Sequence, residues 1–259
     1  NTNSNAVAIG DMNNDGHLDV FIANTGSNEI WTNNGDGLLT ISWASADSTI
    51  SYGVELADLN GDQLLDTFIS NGNANNEIWL NDGNDVLNNS NQNIGGNIWS
   101  TDIVLNDFNG NGNIDAFIAN GVLANPNSFW INDGSGIFTD SGQSLGDSAS
   151  SGVAGADLNG DGAIDIITAE DGANEIWFNA SPGITLLSPD SNENWLIDSE
   201  QTIHWTSFNI NSNVIIEISY NNGFEWTTIT ADTPNDGVFT WTVNGSPSEE
   251  VLLSITPID

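Results

Sequence analysis

Asp157-Leu158-Asn159-Gly160-Asp161-Gly162-Ala163-Ile164-Asp165 carries oxygen-bearing side chains at positions one, three, five and nine, with glycines where the backbone must fold back. Oxygens spaced in this way, joined by one main-chain carbonyl, can converge on a single cation. Calcium takes six to eight oxygens at about 2.3–2.6 Å and tolerates irregular geometry, whereas magnesium asks for a stricter octahedron and more water. The stretch therefore reads as a calcium loop. Three more copies open at Asp11, Asp58 and Asp107. The first offers Asp11, Asn13, Asp15 and Asp19, the second Asp58, Asn60, Asp62 and Asp66, and the fourth Asp157, Asn159, Asp161 and Asp165. The third offers Asp107, Asn109, Asn111 and Asp115; with one carboxylate replaced by an amide, it carries less charge and is the weakest of the set. In the second copy Gln63 stands where the others have glycine, which puts its tight turn in question. One such loop could be a solvated Asp/Asn/Gly turn, but four in register argue for a repeated device.

The loop-opening aspartates are 47, 49 and 50 residues apart, and the elements around them recur at the same period. An apolar stretch leads into each loop (Ala6 to Ile9, Val54 to Ala57, Ile103 to Leu105, Val153 to Ala156). A second follows it (Val20 to Ala23, Thr67 to Ile69, Ala116 to Ala119, Ile166 to Ala169). A third carries Asn28-Glu29-Ile30-Trp31, Asn76-Glu77-Ile78-Trp79, Ser128-Phe129-Trp130 or Asn174-Glu175-Ile176-Trp177. A fourth shows as Leu38 to Trp43 and Ile137 to Thr139, is weaker around Val86, and is missing from the last repeat. Each stretch reads as a short strand, and four strands per period of about 45 residues predict a propeller blade.

This pattern resembles the FG-GAP/VCBS-type repeat over residues 1–180. The resemblance implies an all-β propeller with one calcium per blade, up to four here, each held between the first two strands. At position seven the family uses the main-chain carbonyl, which adds His17, Leu64, Asn113 and Ala163 to the ligand set. It also implies adhesion or ligand binding, at extracellular calcium levels and hence in a secreted or cell-surface protein. Such propellers usually have seven blades and only four repeats are present, so the ring is expected to stay open or to be completed by a neighbour, with a homopolymeric extracellular filament as one outcome.

The 259 residues include 36 acidic residues and no Lys or Arg, where ordinary usage would give on the order of 30 basic residues. Such a chain cannot clamp nucleic acid, and an anionic membrane would repel it. Partners are expected to be cations, neutral glycans, or cell-surface proteins approached through calcium. A formal charge of -36 should destabilise the compact state unless cations bind. Cysteine is absent, no apolar run approaches a membrane span, and Asn1 is expected to follow a removed leader.

Trp31, Trp79, Trp130 and Trp177 occupy one place in every repeat, as blade-to-blade packing requires, while Trp43 and Trp99 fall outside that register and are expected to be exposed. The period stops near Asn179, and residues 181–183 read as a linker. Residues 184–259 alternate short strands with Pro/Asn/Gly/Asp turns, as in a β-sandwich. The segments Ile203-His204-Trp205, Ser219-Tyr220-Asn221-Asn222-Gly223-Phe224-Glu225-Trp226 and Phe239-Thr240-Trp241-Thr242-Val243 resemble the immunoglobulin-like module that ends many bacterial secreted proteins. That likeness implies a spacer or carbohydrate-contacting module and no catalysis.

Nucleophilic catalysis needs a base beside a Ser or Cys. The only histidines, His17 and His204, lie in a calcium loop and in a strand of the other domain, so no enzyme is expected. The expected function is a secreted, calcium-binding structural or adhesive protein, with a glycan-binding module or, further off, a propeller-based hydrolase as alternatives.

Overall fold

Each nine-residue loop reverses the chain between two antiparallel strands, and the apolar stretches on either side pair with one another. In the computed structural model, which describes residues 3–46, 49–83, 86–123, 125–180, 183–190, 193–208, 210 and 212–258, the first repeat forms a sheet of β1 (Ser4–Gly10), β2 (Asp19–Asn24), β3 (Glu29–Asn33) and β4 (Leu39–Ala44), paired in that order. The second contains β5 (Ile50–Ala57), β6 (Asp66–Gly72), β7 (Glu77–Asn81) and β8 (Leu87–Asn89). The third contains β9 (Ser100–Asn106), β10 (Asp115–Asn120), β11 (Asn127–Asn132) and β12 (Phe138–Leu145). The fourth has three strands, β13 (Ser150–Ala156), β14 (Asp165–Glu170) and β15 (Glu175–Trp177). Gly10 pairs with Asp19, Ala57 with Asp66, Asn106 with Asp115 and Ala156 with Asp165. That register sets position nine of each loop opposite the residue just before position one.

The sheets pack face to face in chain order. Phe21 and Ile30 of the first repeat meet Val54, Ile69 and Leu87 of the second. Phe68 and Ile78 of the second meet Ile103, Ile118 and Phe138 of the third, and Phe117 of the third meets Ile166 of the fourth. Consequently β10 is buried along its whole length, as a strand covered on both faces must be, whereas β14 shows side chains to solvent on one face. The first strands lie side by side, β1 on β5, β5 on β9 and β9 on β13; no comparable packing joins β13 to β1 among the described residues. Where β5 meets β9, a Cβ on Gly53 would come within 2.7 Å of Ser70 Oγ and 3.1 Å of Asp102 Cα, so only glycine fits without a shift.

Asp102 on β9 receives the Val153 N–H of β13 at 3.0 Å. Burial pushes its carboxyl up, and Glu55 on β5 is raised by burial and then by the charge of Asp102. A raised native pKa means that the folded state holds the proton more tightly, so the contribution to stability is full below the unfolded pKa and is lost as pH rises through the folded one. Asp102→Asn is therefore expected to raise the melting temperature at pH 8 and to leave it nearly unchanged near pH 3.5. A gain of equal size at both pH values would contradict this.

The missing fourth strand has a local consequence. In the second and third repeats that strand supplies Leu87 and Phe138 to the contact with the preceding sheet. The fourth repeat has no such residue, and a cleft of about 270 Å³ remains, lined by Phe108, Phe117, Phe129 and Trp177 among others.

The chain divides into two units, Asn1–Asn179 and Ala180–Asp259. Asn1, and Ser181 and Pro182 of the expected linker, lie outside the described residues. The second unit is a sandwich of two three-stranded sheets. One is ordered β16 (Gly183–Ser188), β17 (Glu200–Phe208), β20 (Val238–Thr242); the other is β19 (Thr227–Thr233), β18 (Val214–Ser219), β21 (Leu252–Pro257). Ile203 and Trp205 from one sheet and Val214 and Ile216 from the other share one core. His204, on β17, faces solvent. Among the described residues no helix is long and apolar enough to cross a membrane.

Candidate metal centre

Position nine is the structural anchor of every loop. Asp66 receives the Leu59 N–H at 2.9 Å on one oxygen and the Asn81 N–H at 2.8 Å on the other, tying the loop to the end of β7. Asp19 receives Met12 and Asn33 in the same way, and Asp165 receives Leu158 and Asn179. In the third loop Asp115 receives Asn132 at 2.9 Å, while its other oxygen, Oδ2, is buried without a partner. All four aspartates are fully buried. Burial pushes Asp66 and Asp115 up to about 6 each, with the Asn81 and Leu59 N–H groups acting the other way on Asp66 and that of Asn132 on Asp115.

Positions one, three and five face solvent and shape the turn. Asp157 receives the N–H groups of Gly160, Asp161 and Gly162 at 2.6, 3.2 and 3.0 Å, and that of Gly162 above all holds its carboxyl below the ordinary range. Asn159 receives Asp161 N–H and Asp161 receives Ala163 N–H. Asp58, Asn60, Asp62 and Leu64 repeat this pattern, as do Asp107, Asn109, Asn111 and Asn113. In the first loop Asp11, Asn13, Asp15 and His17 do the same. The His17 imidazole lies over Gly35, where an added Cβ would come within 2.5 Å of it, so the ring packs and the carbonyl is the group left for an ion.

Position six needs a left-handed backbone, with φ of 87° at Gly16, 87° at Gly112 and 88° at Gly162. Gln63 takes the same turn at 70°, so the second loop closes despite its side chain. Gln63→Gly is expected to stabilise the protein by roughly 0.5–1 kcal/mol, read as a shift of the urea midpoint at unchanged slope.

Among the described residues no three His, Asp or Glu side chains converge closely enough to hold an ion by themselves. The donor set that each loop offers is mixed: carboxylates at positions one and nine, an amide at three, a carboxylate or, in the third loop, an amide at five, and the carbonyl at seven. Every carboxylate that accepts N–H bonds still has free lone pairs, and hard oxygen donors of this kind suit calcium.

Of the two indoles outside the register, one departs from expectation. Trp43 is not exposed: it packs between Phe21 and Trp79, with ring centroids 6.2 and 5.1 Å away, because β4 turns it into the contact with the second repeat. Trp99 is exposed and stacks on Tyr52 at 5.3 Å. Within the regular series Trp130 is buried, Trp79 and Trp177 are half-buried against a core, and Trp31 is half-buried outside one.

A further set of functional residues lies two positions beyond each of these indoles. Asn81 Nδ2 donates to Met12 O at 2.7 Å, Asn132 Nδ2 to Leu59 O at 2.8 Å and Asn179 Nδ2 to Phe108 O at 2.6 Å. Each bond clips one repeat to position two of the preceding loop. A second clip joins Asn28 Nδ2 to Ser51 Oγ and Asn76 Nδ2 to Ser100 Oγ, both at 3.0 Å.

The FG-GAP-like repeat profile matches the chain three times, over residues 11–69, 58–118 and 107–168. The matches together run from the first loop into β14 and cover more than half of the 259 residues. No curated protein matches the chain.

Proposed function

Since the chain belongs to the FG-GAP-like repeat family, we propose that it is a secreted, calcium-binding structural or adhesive protein of the cell surface or extracellular matrix. Its first unit serves as a propeller-like stack and its second as an immunoglobulin-like spacer. One observation supports the calcium assignment above the others: four carboxylates are fully buried in a chain without a single Lys or Arg. The N–H bonds to each offset part of the desolvation cost but leave the charge unbalanced, and at neutral pH, above the value of about 6 to which burial raises Asp66 and Asp115, a bound cation would balance it. The ion supplies positive charge and ties strand ends together at the loops opening at Asp11, Asp58, Asp107 and Asp157.

Equilibrium dialysis at millimolar calcium tests this. Up to four ions per chain are expected, and Asp58→Asn with Asp62→Asn should remove one. Binding of no calcium, or of the same number after the double substitution, would overturn the assignment. Glycan binding is the second reading, supported only by the exposed Trp99–Tyr52 stack, and oligosaccharide quenching of indole fluorescence that vanishes in Trp99→Ala would favour it.

A further inference from the structure

Three side chains where the third repeat meets the fourth break a pattern that the other repeats keep. The second strand of those repeats ends in Asn24, Asn71 or Asn120. Each Oδ1 takes a serine hydroxyl at 2.8–3.0 Å, and each Nδ2 donates to the carbonyl of Ser27, Asn75 or Pro126. The fourth repeat has Glu170 there. Its Oε1 takes the Ser150 hydroxyl at 2.9 Å, but a carboxylate has no hydrogen to give a carbonyl, and its Oε2 is buried without a partner. Glu29 and Glu77 each accept the indole N–H of the tryptophan two residues on, at 2.9 Å. Glu175 stands at that place in the fourth repeat, yet its Oε2 and the Trp177 Nε1 are both buried and unpaired. Asn28 and Asn76 donate Nδ2 to a serine of the next repeat; their counterpart Asn127 presents Oδ1 to Ser150 instead, and its Nδ2 is buried without a partner.

These groups face one small space. A Cβ built on Gly146, in the turn after β12, would lie 3.0 Å from Glu175 Oε2, 3.6 Å from Asn127 Nδ2 and 3.9 Å from Glu170 Oε1, and no atom outside that turn would come closer. Asn127 is 1% exposed and Glu170 9%. Ser150 Oγ, also buried, lies 2.9 Å from both Asn127 Oδ1 and Glu170 Oε1. A hydroxyl has one hydrogen to give, so one of those two oxygen pairs has none between its members. Two carboxylates and an oxygen pair without a hydrogen call for positive charge. The chain has no Lys or Arg to supply it, so it has to come from solution.

We propose that Glu170 and Glu175 hold a hydrated divalent cation of the magnesium class between the third and fourth repeats. Magnesium keeps several of its waters and is usually bound through one or two carboxylates, which is what this space provides, whereas calcium asks for six to eight oxygens. Asn127 is a positioning residue: its Nδ2 hydrogens hold a carboxylate oxygen that the ion does not take. The site lies at the opposite end of β14 from the loop that opens at Asp157. It ties the start of β11 and the turn after β12 to β14 and β15, and so fastens the repeat whose sheet has only three strands.

Melting of the full chain with and without magnesium, at matched ionic strength and at the lowest calcium level that saturates calcium binding, tests this. With magnesium 100-fold above its dissociation constant the transition should rise by about 5–10 °C. Glu170→Asn, which restores the residue of the other three repeats, should fold normally and lose that rise. Glu175→Gln should lose it too, so a defect peculiar to one variant does not decide the outcome. Neither substitution should change the number of calcium ions retained in dialysis. Crystals grown with manganese, which shares oxygen-rich octahedral sites with magnesium, should show an anomalous peak beside both carboxylates. No rise in the unaltered chain, an equal rise in all three proteins, or manganese peaks at the calcium loops alone would overturn the proposal. Absence of loop calcium with the magnesium response intact counts against the calcium assignment alone.

Discussion

Excess chelator is expected to lower the melting temperature of the chain by tens of degrees. An ion that binds only the native state adds about 2.7 kcal/mol per site when free calcium is 100-fold above its dissociation constant, so four independent sites would contribute on the order of 11 kcal/mol. For a chain of this size each kcal/mol moves the transition by about 2–4 °C. The effect has a physical source beyond mass action. Asp19, Asp66, Asp115 and Asp165 are buried at the hinge between the first two strands of each repeat, and each of their loops carries one or two further carboxylates. Without an ion these groups repel one another where the sheet must close, in a molecule whose formal charge is already -36. The third loop, with amides at positions three and five, should empty first as free calcium falls. Calorimetry with and without chelator, with metal analysis of both samples, makes the measurement. An unchanged curve in demonstrably metal-free protein would remove calcium from the stability of the fold.

Much of this architecture was legible because the repeat supplies four readings of each element. The strands flanking every loop and the absence of a fourth strand after Trp177 follow from comparing the copies, and the three-stranded fourth sheet agrees with that comparison. What single residues become in three dimensions was less legible. Trp43 lies outside the indole register, yet β4 turns it onto Phe21 and Trp79; a register argument locates repeated positions and says nothing of an unrepeated side chain that fills the gap beside them. Gln63 looks like a lost turn, but it takes the left-handed conformation and its N–H donates to Asp58 Oδ2 at 2.8 Å, as the glycines of the other loops do to their position-one aspartates. The clips made by Asn81, Asn132 and Asn179 were visible as an asparagine two residues after each indole. In a chain this rich in asparagine, only the fold separates a clip from a solvated turn. Ring closure could not be read from the repeats, since the contact between the last and the first depends on the sum of small rotations between sheets.

Phe68→Ala and Ile167→Ala are expected to differ several-fold in cost although they occupy the same register position of the second and fourth repeats. Phe68 is fully buried between the second and third sheets and meets Phe138 edge-on, with centroids 5.4 Å apart at 83°. Truncating it removes transfer energy and leaves a cavity that two rigid sheets cannot collapse, which costs about 3–5 kcal/mol. Ile167 is 37% exposed, and its truncation should cost less than about 1 kcal/mol in dilute protein. Urea titration at low concentration gives both values from the midpoint at constant slope. Equal costs would mean that the trailing face of the fourth repeat is already covered in the isolated chain. A small cost for Ile167→Ala in dilute protein that grows with concentration would mean that what covers this face arrives from another molecule, since only association makes the worth of a buried side chain depend on how many copies are present.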